Sequence, residues 1–146
     1  MKVYTKNQQS DLPVSAKSIR FLVREVVAYE GRYYDEVTVH LVETAKISAL
    51  HEQFFGDPTT TDCISFPLDD ELMGDVFVCP ETAIRYSQKN GIDEHEELSL
   101  YVVHGLLHLM GYDDLNPKDK RKMRTAEKRH LKHLMSLNLI LSPKAV

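Results

Sequence analysis

Two histidines four residues apart, His104 and His108, stand in the stretch HGLLHLMGYDD, residues 104–114. On an α-helix that spacing puts both side chains on one face, with Cβ atoms about 5–6 Å apart. Two imidazole nitrogens so placed can share one metal ion at roughly 2.0–2.1 Å. Gly111 follows directly, and a glycine there tolerates the left-handed conformation that ends a helix. The chain can then reverse and bring Asp113 and Asp114 back toward the histidines. A histidine pair plus one ligand from the returning loop gives three protein ligands and leaves a fourth position open for water. That is the layout of a catalytic rather than a structural zinc site, and it suits hydrolysis. A bare H-x-x-x-H also fits two ordinary histidines on a core helix, so the glycine and the acids behind it carry much of the signal.

The metallopeptidase motif of this kind places glutamate directly after the first histidine. Here that position is Gly105. The missing base argues against a peptidase. A glycine inside a helix costs about 1 kcal/mol relative to alanine, so its presence predicts a close neighbour, either a strand or a substrate.

The elements that must position these residues are legible from period and punctuation. KVYTKNQ reads as a strand. VSAKSIRFLVREVVAYEG sets Ile19, Leu22, Val23, Val26 and Val27 on one helical face, with Ser15 as N-cap and Gly31 as stop. EVTVHLVE alternates Val37, Val39 and Leu41 against Thr38 and His40, a strand pattern. TAKISALHEQFFG predicts a short helix from a capping Thr44 to Gly56, and TDCISFP and GDVFVC two further strands. Pro80 suits the first position of a helix over PETAIRYSQKNG. Asp93 and Glu96 form a capping-box pattern ahead of LSLYVVHGLLHLM. That run is apolar nearly all round, which predicts a central, buried helix. Asn116 and Pro117 open a last helix. The order β-α-β-α-β-β-α-α-α implies an α+β or α/β domain with a small sheet and about five helices.

The chain has 146 residues, 42% hydrophobic and 27% charged, the composition of one globular domain. MKVYTKNQQS lacks the apolar core of a secretory signal, and no apolar run approaches the roughly 20 residues of a membrane span. These features point to the cytoplasm, where Cys63 and Cys79 are expected as reduced, buried thiols. Net charge is −4, which does not by itself suggest a nucleic-acid binder. Its distribution says more: residues 118–133 hold eight Lys/Arg against two acids, a local +6, leaving −10 elsewhere. Such asymmetry suits a polyanionic partner or a solvated helix face, and Lys120, Arg121 and Arg124 are its candidate phosphate contacts. His40 and His51 read as structural, His130 and His133 as solvated, and His95 as a first-turn residue among acids.

Three motifs together resemble the YbeY family of bacterial endoribonucleases, which are rRNA maturation factors. HGLLHLMGYDD is similar to that family's H-G-x-L-H-L-x-G-Y-D-H and differs at the last position. TDCISFP resembles T-D-V-L-S-F-P through Thr61, Asp62, Ser65, Phe66 and Pro67, and MGDVFVC resembles L-G-D-I-x-I through Gly74 and Asp75. The resemblance implies an α+β fold over residues 1–146, a small mixed four-stranded sheet packed with about five helices and a zincin-like metal helix. It implies a zinc-dependent, single-strand-preferring endoribonuclease, with one ion per chain, acting in rRNA maturation and ribosome quality control. Ribosomal RNA and the small ribosomal subunit are the implied partners. The family register makes Asp114 the third ligand beside His104 and His108, where the family has histidine. Asp113 is then left to orient a ligand or act as base. An arginine that the family places before T-D-x-x-S-F-P, near its active site, aligns with Phe55, which cannot stabilise charge on phosphate; Arg85 or a cation of the last helix would have to substitute. The competing readings are a ribosome-assembly factor that binds RNA without cutting it and, disfavoured by Gly105, a metallopeptidase.

Overall fold

The computed structural model describes residues 1–144; Ala145 and Val146, the last two positions of the expected domain, lie outside the described residues. Among these residues nine elements follow in order: β1 (Lys2–Gln8), α1 (Ala16–Tyr29), β2 (Glu36–Val42), α2 (Thr44–Phe55), β3 (Cys63–Pro67), β4 (Leu72–Val78), α3 (Pro80–Asn90), α4 (Glu94–Leu109) and α5 (Pro117–Ser136). The order is the one the sequence implies. Local chemistry explains most boundaries. Ser15 accepts the Ser18 N–H at 3.0 Å, Asp93 the Glu96 N–H at 3.0 Å and Asn116 the Asp119 N–H at 2.8 Å. Each cap satisfies a backbone donor that its helix leaves without a partner.

The sheet is mixed, with strand order β1-β2-β4-β3. β1 and β4 run parallel to β2, and β3 runs antiparallel to β4. Glu36 pairs with Leu72 but Val37 with Gly74, so Met73 is an extra residue in β4. Gly74 takes φ +132°, and a Cβ there would lie 2.2 Å from the Phe66 carbonyl oxygen. Only glycine fits that approach of β3 to β4.

α4 packs across β3 and β4. Leu98, Val102, Leu106 and Leu107 are fully buried along it, each contributing about 1.5–3 kcal/mol of hydrophobic stabilisation. The close neighbour that Gly105 announces is the sheet: a Cβ there would lie 2.6 Å from Val76 Cγ1 and 2.7 Å from Cys63 Sγ. α1 buries its expected stripe, and α5 docks through Met123, Ala126, His130 and Leu134. A smaller cluster of Val42, Ile47, Ile64 and Cys79 lies under α2. Cys63 and Cys79 are free thiols, half-buried and buried. Among the described residues no helix is long and apolar enough to cross a membrane.

Two expectations need correction. The N-cap of α2 is Glu43, which makes no side-chain capping bond. Thr44 is the first helical residue, and its hydroxyl instead donates to the Glu81 carboxylate in the first turn of α3. The histidines of α5 are not solvated. His130 is fully buried and His133 partly so, because the α5 face that carries them packs on α1, where they meet Glu30 and Glu25.

Candidate metal centre

His104 and His108 occupy the last two turns of α4, on the edge that escapes the sheet, with side chains 20% and 27% exposed. After α4 the chain reverses at Gly111, φ +102°. The Gly111 N–H bonds the His108 carbonyl at 3.0 Å and the Tyr112 N–H the Leu107 carbonyl at 3.0 Å. This reversal carries Asp114 back over the helix end. Its Oδ2 lies 3.5 Å from His108 Nε2 and 3.7 Å from His104 Nε2, and the two Nε2 atoms are 3.1 Å apart.

The outer nitrogens fix what the inner ones present. His104 Nδ1 lies 2.7 Å from Glu127 Oε2, and His108 Nδ1 lies 3.0 Å from the Tyr112 carbonyl oxygen. An ionised carboxylate and a carbonyl only accept, so both Nδ1 atoms donate. In the neutral rings both Nε2 lone pairs then face one another across 3.1 Å. A cation between them, or a proton on one ring, relieves that opposition. Tetrahedral ligands held at about 2.0–2.2 Å stand roughly 3.3–3.6 Å apart, close to the three separations observed here. The residues therefore fit a divalent ion, with imidazole tautomers set by a carboxylate and a carbonyl as at metal sites generally.

Electrostatics agree with this arrangement. Burial would lower the His104 pKa, but the hydrogen bond to Glu127, its charge, and the charges of Asp62 and Asp114 outweigh burial and raise it. Burial would raise that of Glu127, yet His104 and then Arg124 hold it below the usual carboxylate range. Arg124 reaches Glu127 Oε1 at 3.0 Å while remaining largely exposed. Further up α4, burial, with the charges of Asp62, Glu96 and Glu127, raises the Glu97 carboxyl despite its bond to Tyr101. Burial and then Glu97 push the Tyr101 phenol well up.

The reversal is held from behind. Glu30, the C-cap of α1, accepts from the Tyr112 hydroxyl at 3.1 Å, from Arg129 at 2.7 Å and lies 2.7 Å from His130 Nε2. Arg32 donates to the Met110 carbonyl at 3.2 Å. Burial raises the Glu30 carboxyl, but His130, Tyr112 and Arg129 together bring it below its ordinary value.

The structure thus brings His104, His108 and Asp114 together, with ligand atoms all within 4.8 Å of one another. Asp113 is exposed, and its carboxylate accepts the Asp114 N–H at 2.7 Å rather than reaching a histidine. Lys120 and Arg121 are exposed on α5. Phe55 lies exposed at the end of α2 beside His51, and Arg85 is tied to Glu81 at 2.5 Å on α3. Sequence reasoning missed Glu127, Glu97, Tyr101 and Glu30, and named Asp62 only within the TDCISFP resemblance, with no role. Two signals were present. Glu97, Tyr101, His104 and His108 share one helical stripe, and Glu127 is an acid at a core-facing position of a basic helix.

The sequence model of the family described as endoribonuclease YbeY matches residues 4–135. The chain belongs to the YbeY family. An endoribonuclease YbeY of Protochlamydia amoebophila is 46% identical over 145 residues, covering 95% of this chain and 97% of that protein. One from Chlamydia felis is 34% identical, with 97% and 96% covered. The solution structure of TM1509 from Thermotoga maritima superposes with a TM-score of 0.66 at 27% identity, over 92% of this chain and 89% of that one. The match to the YbeY family model takes in α5 almost to its end, and so includes Glu127.

Proposed function

We propose that this chain is a metal-dependent endoribonuclease, preferring single strands, that acts as one hydrolase domain in cytoplasmic rRNA maturation and ribosome quality control. The observation that carries the reading is the convergence of two Nε2 atoms and Asp114 Oδ2, with both Nδ1 atoms already committed to acceptors. His104, His108 and Asp114 hold one zinc ion. A divalent ion there supplies Lewis acidity toward a phosphodiester and water. The chain's own residues do the rest. Glu127 and the Tyr112 carbonyl keep the rings oriented. Asp113, exposed beside the group, is available to accept a proton from attacking water, and Asp62, whose charge reaches His104, is the alternative. Arg124, held by Glu127, is the cation this reading assigns to the charge developing on phosphate, in the role that Phe55 cannot fill. Ribosomal RNA, met in the small ribosomal subunit, is the substrate this reading assigns.

Phe55 favours a second reading, a ribosome-assembly factor that binds RNA without cutting it. One experiment separates the two and tests a peptidase as well. Protein purified without added metal is assayed for metal by mass spectrometry, loaded with zinc, and incubated with ribosomal RNA and with casein. RNA cleavage that disappears in His104→Ala and His108→Ala supports the nuclease. Binding without cleavage supports the assembly factor, and casein cleavage overturns both.

A further inference from the structure

The eight cations of α5 are not equivalent. At 3.6 residues per turn, Lys118, Arg121, Lys122, Thr125 and Arg129 fall within an arc of about 100°. Together with Tyr112 they line one hollow of about 430 Å³. On the opposite side of the buried α5 stripe lie Glu127, which meets His104, and its partner Arg124. The residues that composition singled out, Lys120, Arg121 and Arg124, therefore belong to two different surfaces. Their charges differ too. Arg124 is paired with Glu127 and Arg129 with Glu30. Lys118, Arg121 and Lys122, clustered on one turn around the hollow, have no ion pair or hydrogen bond among the described residues. Like charges at these spacings repel, and an anion in the hollow would relieve them. Asp113 and Asp119, with Lys122, line the neighbouring hollow at the reversal, so the positive surface ends there.

We propose that this hollow is a phosphate-binding subsite for single-stranded RNA, separate from the metal group and joined to it across Tyr112. Tyr112 is the link: it lines the hollow, and its carbonyl holds His108. A strand seated here continues past Asp113 to the His104, His108 and Asp114 group. A polyanion answers the charge of the hollow, and the Thr125 hydroxyl adds a donor for a phosphate oxygen. The inference rests on the endoribonuclease reading for its substrate, but its binding test does not need cleavage.

The test neutralises Lys118, Arg121 and Lys122 to Gln in the full chain, beside a control of equal charge change, Lys6, Lys46 and Lys89 to Gln, at exposed positions outside the hollow. Binding of a single-stranded RNA is measured against salt. Each phosphate contact on a single strand contributes about 0.7 to the salt slope. The hollow variant should lose a slope of about 2 and on the order of 100-fold in affinity at 0.1 M salt, and the control much less. With cleavage active, KM for long RNA should rise while kcat, and turnover of a dinucleotide, stay at wild-type values. Equal slope losses in both variants overturn the subsite in favour of diffuse charge. Displacement of RNA by polyglutamate at equal charge concentration overturns it in favour of an acidic polypeptide. If the wild type binds RNA with the expected slope but cuts none, the nuclease reading fails while the subsite stands.

Discussion

Glu127→Gln isolates what a buried carboxylate does for the metal group. Glu127 is 3% exposed, accepts from His104 Nδ1 at 2.7 Å and holds Arg124 at 3.0 Å. Glutamine keeps the volume and one acceptor oxygen but removes the charge, and its amide nitrogen faces Arg124 donor to donor. Losing a partner of this kind costs 10–100-fold in metal affinity, about 1.4–2.7 kcal/mol. Most of that comes from His104, since the exposed Arg124 pair contributes at most about 1 kcal/mol. In metal-free protein the same substitution removes the strongest forces raising the His104 pKa, so its titration should move down. The assays are zinc competition with a chromophoric chelator and a histidine NMR titration. Cobalt-substituted protein should also show an altered visible spectrum, because the ring is less firmly oriented. Glu127→Ala, which also leaves a void, should bind metal no better. Wild-type zinc affinity in Glu127→Gln, with an unmoved His104 titration, would refute the reasoning, provided His104→Ala loses zinc.

Other outcomes follow from named contacts. Gly105→Ala should destabilise by about 1–3 kcal/mol in urea unfolding through overpacking against Val76 and Cys63, and adding Val76→Ala should cost less than the two changes summed. Asp114→Ala should lose zinc and Asp113→Ala keep it, read by mass spectrometry; the reverse result would move the ligand by one residue. Glu30 has its carboxyl lowered from 4.5 in the folded chain, so its contribution is present above that value and is lost as the pH falls. His130 is lowered by burial, then further by Arg129 and His133 against the pull of Glu30, so it too stabilises above about 6.5 and loses stability on acidification. Thermal unfolding of the wild type should therefore weaken from pH 7 to pH 4 more than that of His130→Gln, which removes the imidazole and lessens the lowering of Glu30, and parallel curves would show that the pair is not coupled to folding.

The order of the elements, most of their caps and the histidine pair were legible in the sequence because they are local facts. Periods of two and 3.6, a serine, aspartate or asparagine before a helix, and a glycine where φ turns positive act within a few residues of themselves. Gly105 also told of a close neighbour, though not which. The exception is instructive: Thr44 has the chemistry of a cap, but α3 brings Glu81 within reach of its hydroxyl and the cap role passes to Glu43. What the tertiary structure alone decided has the same character. Composition marked α5 as a basic helix, but which of its faces is buried depends on its docking against α1 and α4. That docking puts Glu127 behind His104, seats His130 on Glu30 and divides the lysines and arginines between two surfaces. That Asp114 rather than Asp113 lies by the histidines, which the family register already implied, has its physical cause in a reversal held by Glu30 and Arg32, about 80 residues upstream. Residue type and spacing state which groups can do chemistry. Their side-chain directions on a loop, and their partners on a distant helix, are set by packing free energy that no short window of sequence contains.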